Sequence, residues 1–176
     1  MKYIFDFDDV ISFTTRYRKE FMVPFLEKHG ISTEVVSEYY QKARITGFSL
    51  KDLLSSLRRD DLYEEIMAPY KDFRNDAVIK VIEKLGKENC FLITHGDEEF
   101  QKDKIARAGV IPLFSEIITL VGTKKNAVAD IADRYQDEEI FFIDDKSKYF
   151  EDIDFSKNPN INTLLYTGQN LENYFQ

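Results

Sequence analysis

Three carboxylates follow the first apolar run of this chain within four positions. Apolar residues 3–5 lead directly into Asp6, and Asp8 and Asp9 follow. A buried strand cannot end in clustered negative charge unless something holds that charge, and a metal ion is the simplest candidate. Because ligands gather at the carboxyl ends of the strands in an open α/β sheet, these acids mark a candidate site.

The same pattern returns late in the chain, where apolar residues 140–143 precede Asp144 and Asp145. Two strand ends would then converge on one site. Carboxylate oxygens suit Mg²⁺, with waters and a substrate phosphate oxygen completing its coordination. The sequence therefore predicts a magnesium site that combines the first acids with Asp144 or Asp145.

Charge and composition restrict the partners. The net charge of -8 argues against a nucleic-acid polymer, because binding a phosphate backbone requires a basic face. The single cysteine, Cys90, excludes an internal disulfide. The sequence has neither a charged-then-apolar leader nor an apolar span of membrane length, so we expect a cytoplasmic protein without a membrane partner.

Helical signals fill the chain from Ser12 to about residue 85, which is too much for the single helix of a plain βαβ crossover. Ser49 reads as a helix cap, Gly30 as a helix stop, and Pro24 as a possible kink. We assign residues 14–75 to a helical insertion, and residues 1–13 and 76–176 to the core domain.

Strands and helices alternate regularly in the second half of the chain. We expect strands over residues 90–94, 116–120, 140–143 and 163–166, in addition to residues 2–6. Strands that alternate with helices predict a parallel sheet covered on both faces. The expected fold class is therefore α/β, a Rossmann-like five-stranded parallel sheet with a small all-helical cap.

The acids can divide a covalent reaction between them. If the turn after Asp6 carries Asp8 into the site, one carboxylate can attack while the other handles a proton. Lys124 or Lys125 would provide positive charge, which reduces the repulsion between carboxylates and stabilises a transferring phosphoryl group. The spacing to the apolar Val128 favours Lys124.

The end of the second strand supplies groups for an anion. Thr94 offers a hydroxyl, and the backbone N–H groups of His95 and Gly96 begin a helix, which suits an anionic oxygen. A Thr-His-Gly turn alone is a common turn sequence. Its position after a predicted strand, like that of the acids, favours a role in the site.

In this order and spacing, the residues resemble the phosphatases of the haloacid dehalogenase (HAD) superfamily. The resemblance spans residues 3 to 150. Its four motifs are matched by Asp6-Phe7-Asp8-Asp9-Val10, by Phe91-Leu92-Ile93-Thr94, by Lys124 or Lys125, and by Ile143-Asp144-Asp145.

The resemblance implies a magnesium-dependent phosphohydrolase. Asp6 would be the nucleophile that becomes aspartyl-phosphate, and Asp8 the acid/base that protonates the leaving group and then activates water. Asp6, the backbone carbonyl of Asp8, and Asp144 or Asp145 would hold Mg²⁺. The resemblance also implies that the helical insertion is a cap.

Two positions depart from the family pattern. Asp9 stands where glycine is usual, which adds a fourth carboxylate near the site and can alter the turn. His95 stands where many relatives have asparagine, and it is either a substrate contact or a helix-start residue without a role.

The expected substrate is a small phosphorylated metabolite or nucleotide, which the insertion would select. Arg16, Arg18 and Arg44 are candidates for anion contacts, although arginines on helices are ordinarily solvated. Tyr39 and Tyr40 could line a pocket or fill a core. Oligomeric state is not readable from the sequence.

Other functions share parts of this pattern. A phosphomutase would keep all four motifs, and a non-catalytic HAD-like binding or regulatory domain would keep the fold alone. A response-regulator receiver would place its acid pair after the first strand without a helical insertion. A dehalogenase would share the nucleophile but has no use for Asp8 as an acid/base.

Overall fold

The first strand lies at the centre of a parallel sheet, between the second and fourth strands of the chain. The computed structural model describes residues 1–43 and 46–175. The five strands are β1 (Lys2–Phe5), β2 (Cys90–His95), β3 (Glu116–Leu120), β4 (Ile140–Asp144) and β5 (Ile161–Leu165). Their order in the sheet is β3-β2-β1-β4-β5, so the loops that follow the three central strands meet at one edge.

Helices connect each strand to the next one along the chain. The α-helices are α1 (Thr14–Tyr17), α2 (Val23–Lys28), α3 (Thr33–Lys42), α4 (Leu50–Ser56), α5 (Tyr63–Met67), α6 (Asp76–Leu85), α7 (Glu98–Ala108), α8 (Lys125–Arg134) and α9 (Lys148–Glu151). Short 3₁₀ turns cover Asp60–Leu62, Ala68–Phe73, Lys87–Asn89, Ile111–Leu113 and Leu171–Asn173. Among the described residues, none of the helices has the length and apolar character needed to cross a bilayer.

The two faces of the sheet carry separate apolar cores. Tyr3 and Phe5 of β1 belong to the larger cluster, which includes the helices between β1 and β2. Ile4 points to the opposite face and packs in a smaller cluster with residues of α8. Burying a side chain of this size stabilises the fold by roughly 1.5–3 kcal/mol. The alternation explains why β1 is apolar at every position from Tyr3 to Phe5.

A π-helical turn, Arg18–Met22, joins α1 to α2. Pro24 lies just beyond it, at the start of α2. Proline has no N–H to donate, and its ring clashes with the carbonyl four residues earlier, so the wider turn accommodates it. The possible kink at Pro24 therefore takes the form of a π turn in a continuous helical run.

Hydrogen bonds and ion pairs join α5 to α7. The Tyr63 hydroxyl donates to Asp103 Oδ2 at 2.6 Å, and Arg107 Nε donates to the same oxygen at 2.9 Å. Arg107 also contacts both carboxylate oxygens of Glu64, at 2.8 and 3.0 Å. These contacts fix α5 against α7.

Most expected elements are present, including the cap of α4, where Asp52 N–H donates to Ser49 Oγ. The expectation for the last strand was wrong by two residues. Asn160 carbonyl accepts from Ile140 N–H, so pairing with β4 begins at Ile161 rather than at Thr163.

The helical signal of the insertion covers Asp60 to Tyr70, which we expect to form one helix, but the structure divides this segment. Two 3₁₀ turns flank α5, and Pro69 lies in the second of them. Because proline cannot donate to the preceding turn, a regular α-helix does not extend through this position.

Candidate active site

Asp6 and Asp144 lie side by side because β1 and β4 are neighbours in register. Lys124, at the start of α8, bridges them: its Nζ donates to Asp6 Oδ1 at 2.6 Å and to Asp144 Oδ2 at 2.7 Å. All three side chains are almost fully buried, with Lys124 only 1% exposed. Removing charges from water costs free energy, and the ion pairs among these three groups offset that cost.

Burial raises the pKa of Asp6 to about 7. The Lys124 ammonium opposes this rise, while the nearby Asp144 and Asp8 carboxylates add to it. The pKa of Lys124 is itself raised, because its two carboxylate partners outweigh its own burial. A further cation beside Asp6 would favour its ionised form.

Three carboxylates could hold such a cation. One oxygen each of Asp6, Asp144 and Asp145 lie within 4.8 Å of one another. Oxygen ligands at this spacing fit Mg²⁺, which usually keeps several waters and takes only a few protein carboxylates. The side chain of Asp8 is not part of this set among the described residues. The residues present therefore fit a magnesium ion.

Asp8 is held by donors from two helices. Lys104 Nζ contacts its Oδ1 at 2.5 Å, and Gln101 Nε2 donates to Oδ2 at 2.9 Å. The Thr14 hydroxyl, at the start of α1, also donates to Oδ1. Burial raises the pKa of Asp8, but the charge and hydrogen bond of Lys104, together with these donors, outweigh it and lower the pKa to about 2. Asp8 is thus fixed as a carboxylate.

Lys104 was not predicted from the sequence to be a site residue. It is 2% exposed on α7, and its Nζ lies 5.5 Å from the centre of the Phe7 ring and 5.2 Å from that of Phe100. The available signal was its place on the helix, since it falls on the buried stripe. The buried residues of α7 are Phe100, Gln101, Lys104, Ile105 and Ala108. A lysine inside an apolar stripe needs an anionic partner.

Asp9 adopts the left-handed conformation, with φ of 61°. Glycine takes this conformation without strain, whereas aspartate tolerates it when local hydrogen bonds compensate. Asp9 Oδ1 accepts from Thr15 N–H at 2.8 Å, and Oδ2 accepts from the Thr15 hydroxyl. The departure from glycine thus keeps the turn and supplies acceptors for the start of α1.

The turn after β2 lies beside these acids. Thr94 is fully buried, and its hydroxyl has no hydrogen-bond partner among the described residues. His95 is half-buried, and burial and neighbouring lysines lower its pKa. Gly47 packs against this turn so closely that a Cβ there would lie 2.3 Å from Asp97 N. The unpartnered hydroxyl fits an anionic oxygen that binds next to it.

These groups surround a cavity of about 320 Å³, the size of a small-molecule site. The predicted residues Asp6, Asp8, His95, Gly96 and Lys124 line it. So do residues that the sequence reasoning missed, namely Thr14, Gln101, Lys104, Lys146, Lys148 and Tyr149.

The structure separates the two candidate lysines. Lys124 lies between Asp6 and Asp144, whereas Lys125 is exposed and lines a second, smaller hollow with residues of the loop before β5. Arg44, the other candidate for anion binding, lies outside the described residues. Arg16 is exposed and contacts Glu20, at 3.7 Å.

No protein-family model matches the sequence, and no curated protein matches it significantly. Solved structures do resemble it. A hydrolase from Streptococcus pneumoniae is 14% identical, with a TM-score of 0.64, over 99% of this chain and 97% of that one. L-2-haloacid dehalogenase from Xanthobacter autotrophicus is 11% identical, with a TM-score of 0.59, over 98% of this chain and 79% of that one.

A third similar structure is described as a HAD-hydrolase from Bacillus subtilis bound to magnesium. It is 13% identical, with a TM-score of 0.55, over 93% of this chain and 85% of that one. These likenesses show that the chain has the HAD-like α/β fold, as the sequence motifs predicted.

Proposed function

We propose that this protein is a magnesium-dependent phosphohydrolase that acts on a small phosphorylated metabolite or nucleotide through an aspartyl-phosphate on Asp6. The buried contact of Lys124 with both Asp6 and Asp144, in the wall of a small-molecule cavity, carries this proposal. The HAD-like fold of hydrolases supports it.

Asp6 has one oxygen available for attack. Lys124 holds Oδ1, and none of the described residues donates to Oδ2. In the first step Oδ2 forms a bond to phosphorus while the bond to the leaving-group oxygen breaks, and Asp8 passes the proton of the substrate phosphate monoanion to that oxygen, which leaves as an alcohol. Lys124 would offset the negative charge that gathers on the transferring group, and the unpartnered hydroxyl of the buried Thr94 would donate to one of its oxygens.

Asp8 also serves the second step. Fixed as a carboxylate, it accepts a proton from the water that attacks the aspartyl-phosphate, which frees inorganic phosphate and returns Asp6. Mg²⁺ held by Asp6, Asp144 and Asp145 would supply Lewis-acid stabilisation of the phosphoryl oxygens.

The helical stretch completes the site. Residues of α1, α3 and the loop before α4 line the cavity, among them Tyr17, Tyr40 and Phe48. We propose that residues 14–75 act as a cap over a core formed by residues 1–13 and 76–176. A cap that excludes water protects the aspartyl-phosphate from early hydrolysis.

The first experiment measures release of inorganic phosphate from para-nitrophenyl phosphate with and without Mg²⁺. This probe has a leaving group that departs without a proton, so it reports on Asp6 directly. We expect magnesium-dependent release that Asp6→Asn abolishes. Asp72→Asn, at an exposed aspartate outside the cavity, is the matched control and should retain activity.

Asp8→Asn should leave the protein phosphorylated, because the second step loses its base. Intact-protein mass spectrometry after incubation with substrate detects the added phosphoryl group. Chloride release from chloroacetate, with no phosphate release from any ester, would replace the phosphohydrolase with a dehalogenase. Absence of both activities in well-folded protein would favour a binding domain.

A further inference from the structure

Among the residues that the structure describes, two cations in the cavity wall have no acidic partner. Lys104, Lys124 and Lys146 each form an ion pair with an aspartate of the site. Within residues 1–43 and 46–175, neither Arg18 nor Lys148 has a carboxylate within 4.0 Å, although both line the same cavity. In an acidic chain with abundant carboxylates, two unpaired cations at one cavity indicate that a ligand supplies the anion.

The two cations come from different parts of the fold, and each lies over an aromatic ring. Arg18 begins the π-helical turn, and its guanidinium carbon lies 4.9 Å from the centre of the Tyr40 ring. Lys148 begins α9 in the core, and its Nζ lies 4.8 Å from the centre of the Tyr149 ring. Both tyrosines line the cavity, so the rings hold the cations at its surface.

The remaining carboxylate of the wall does not neutralise them. Asp9 accepts from the backbone N–H and the hydroxyl of Thr15, and it has no cationic partner among the described residues. Its oxygens are thus directed to the start of α1.

We propose that the substrate carries a second anionic group, a carboxylate or a second phosphate, which Arg18 and Lys148 bind. This inference rests on the proposed phosphohydrolase function and narrows its substrate class. The transferred phosphoryl group lies at Asp6, and the second anion contacts one cation from the helical stretch and one from the core. A cavity of about 320 Å³ has the size of a small-molecule site.

The test compares three two-carbon probes. Ethyl phosphate has one anionic group, whereas phosphoglycolate adds a carboxylate and ethylene glycol bisphosphate adds a phosphate. For the wild type we expect kcat/KM to be at least about tenfold higher for the doubly anionic probes, because a charge-assisted hydrogen bond favours their binding. The difference should lie mainly in KM.

The variants Arg18→Gln and Lys148→Gln should each lower the preference for phosphoglycolate over ethyl phosphate by about fivefold or more. Lys19→Gln and Lys157→Gln are matched controls, since both lysines are exposed and neither lines the cavity. Equal kcat/KM for the three wild-type probes, or an unchanged preference in both cavity variants, would overturn the inference.

Binding separates this inference from the proposed reaction. Calorimetric titration of the Asp6→Asn protein should show tighter binding of phosphoglycolate than of ethyl phosphate, and Arg18→Gln in that background should reduce the difference by about fivefold or more. This result with no turnover by the wild type would refute the phosphohydrolase and retain the anion site. Turnover by the wild type, together with equal binding of both probes, would support the phosphohydrolase and refute the second anion site.

Discussion

Replacing Lys104 by methionine tests the account of Asp8 most directly. Methionine keeps an unbranched stem but removes the ammonium that lies 2.5 Å from Asp8 Oδ1. The surroundings lower the pKa of Asp8 from an ordinary 3.8 to about 2. Since one pKa unit corresponds to about 1.4 kcal/mol, the folded state gains roughly 2–3 kcal/mol from the ionised form.

Removing one partner of a buried pair costs about 3–5 kcal/mol. The Asp8 side chain is 20% exposed, so water recovers part of that cost and we take about 2 kcal/mol. For a domain of this size the loss corresponds to a fall in Tm of roughly 4–8 °C. Urea unfolding in the presence of a chelator measures this loss in the free energy of unfolding.

The depressed pKa of Asp8 also predicts how the stability of the protein changes with pH. Because the folded-state pKa of Asp8 is depressed, its stabilisation is fully present above the unfolded value of 3.8 and is lost as the pH falls through about 2. The stability difference between wild type and Lys104→Met should therefore be largest near neutral pH and should shrink in acid.

A double-mutant cycle with Asp8→Asn isolates the pair, and we expect a coupling free energy of about 2 kcal/mol near neutral pH. Lys102→Met, on the exposed side of the same helix, is the matched control. A coupling below about 0.5 kcal/mol, or one that does not change between neutral and acidic pH, would refute the reasoning.

Three further variants test other parts of the site. Thr94→Val should stabilise the fold by about 1 kcal/mol in urea unfolding, since it removes an unpartnered buried hydroxyl, yet it should slow phosphate release. Gly47→Ala should destabilise by more than about 1 kcal/mol, because its Cβ meets a backbone nitrogen at 2.3 Å; Gly30→Ala, with similar φ but open space, should cost less in the same assay. Lys124→Met should cost about 3–5 kcal/mol by leaving two buried carboxylates unopposed, and a thermal shift assay should show Mg²⁺ restoring more stability to this variant than to wild type.

The order of elements could be predicted because its signals are local. Apolar runs that end in Asp6, Thr94 and Asp144 are strand ends in a parallel sheet, and neighbouring strand ends meet. The start of β5 could not be predicted to the residue. Its position depends on the contact between Asn160 and Ile140, which are far apart in sequence.

The partners of Asp8 were not predictable in the same way. Gln101 and Lys104 belong to a helix, and which strand-end acid they reach depends on how α7 packs across the sheet. The sequence also left Lys124 and Lys125 as alternatives, because adjacent helix residues differ by about 100° in direction and only packing decides which one is buried.

Two adjacent residues of α7 contact different parts of the protein. Asp103 accepts from Tyr63 of the helical stretch, and Lys104 contacts Asp8 beside the nucleophile. Inserting or deleting one residue between the helix cap Asp97 and Asp103 would rotate both contacts out of place at once. During divergence, changes of chain length should therefore accumulate after Gly109 and be excluded from the first two turns of α7.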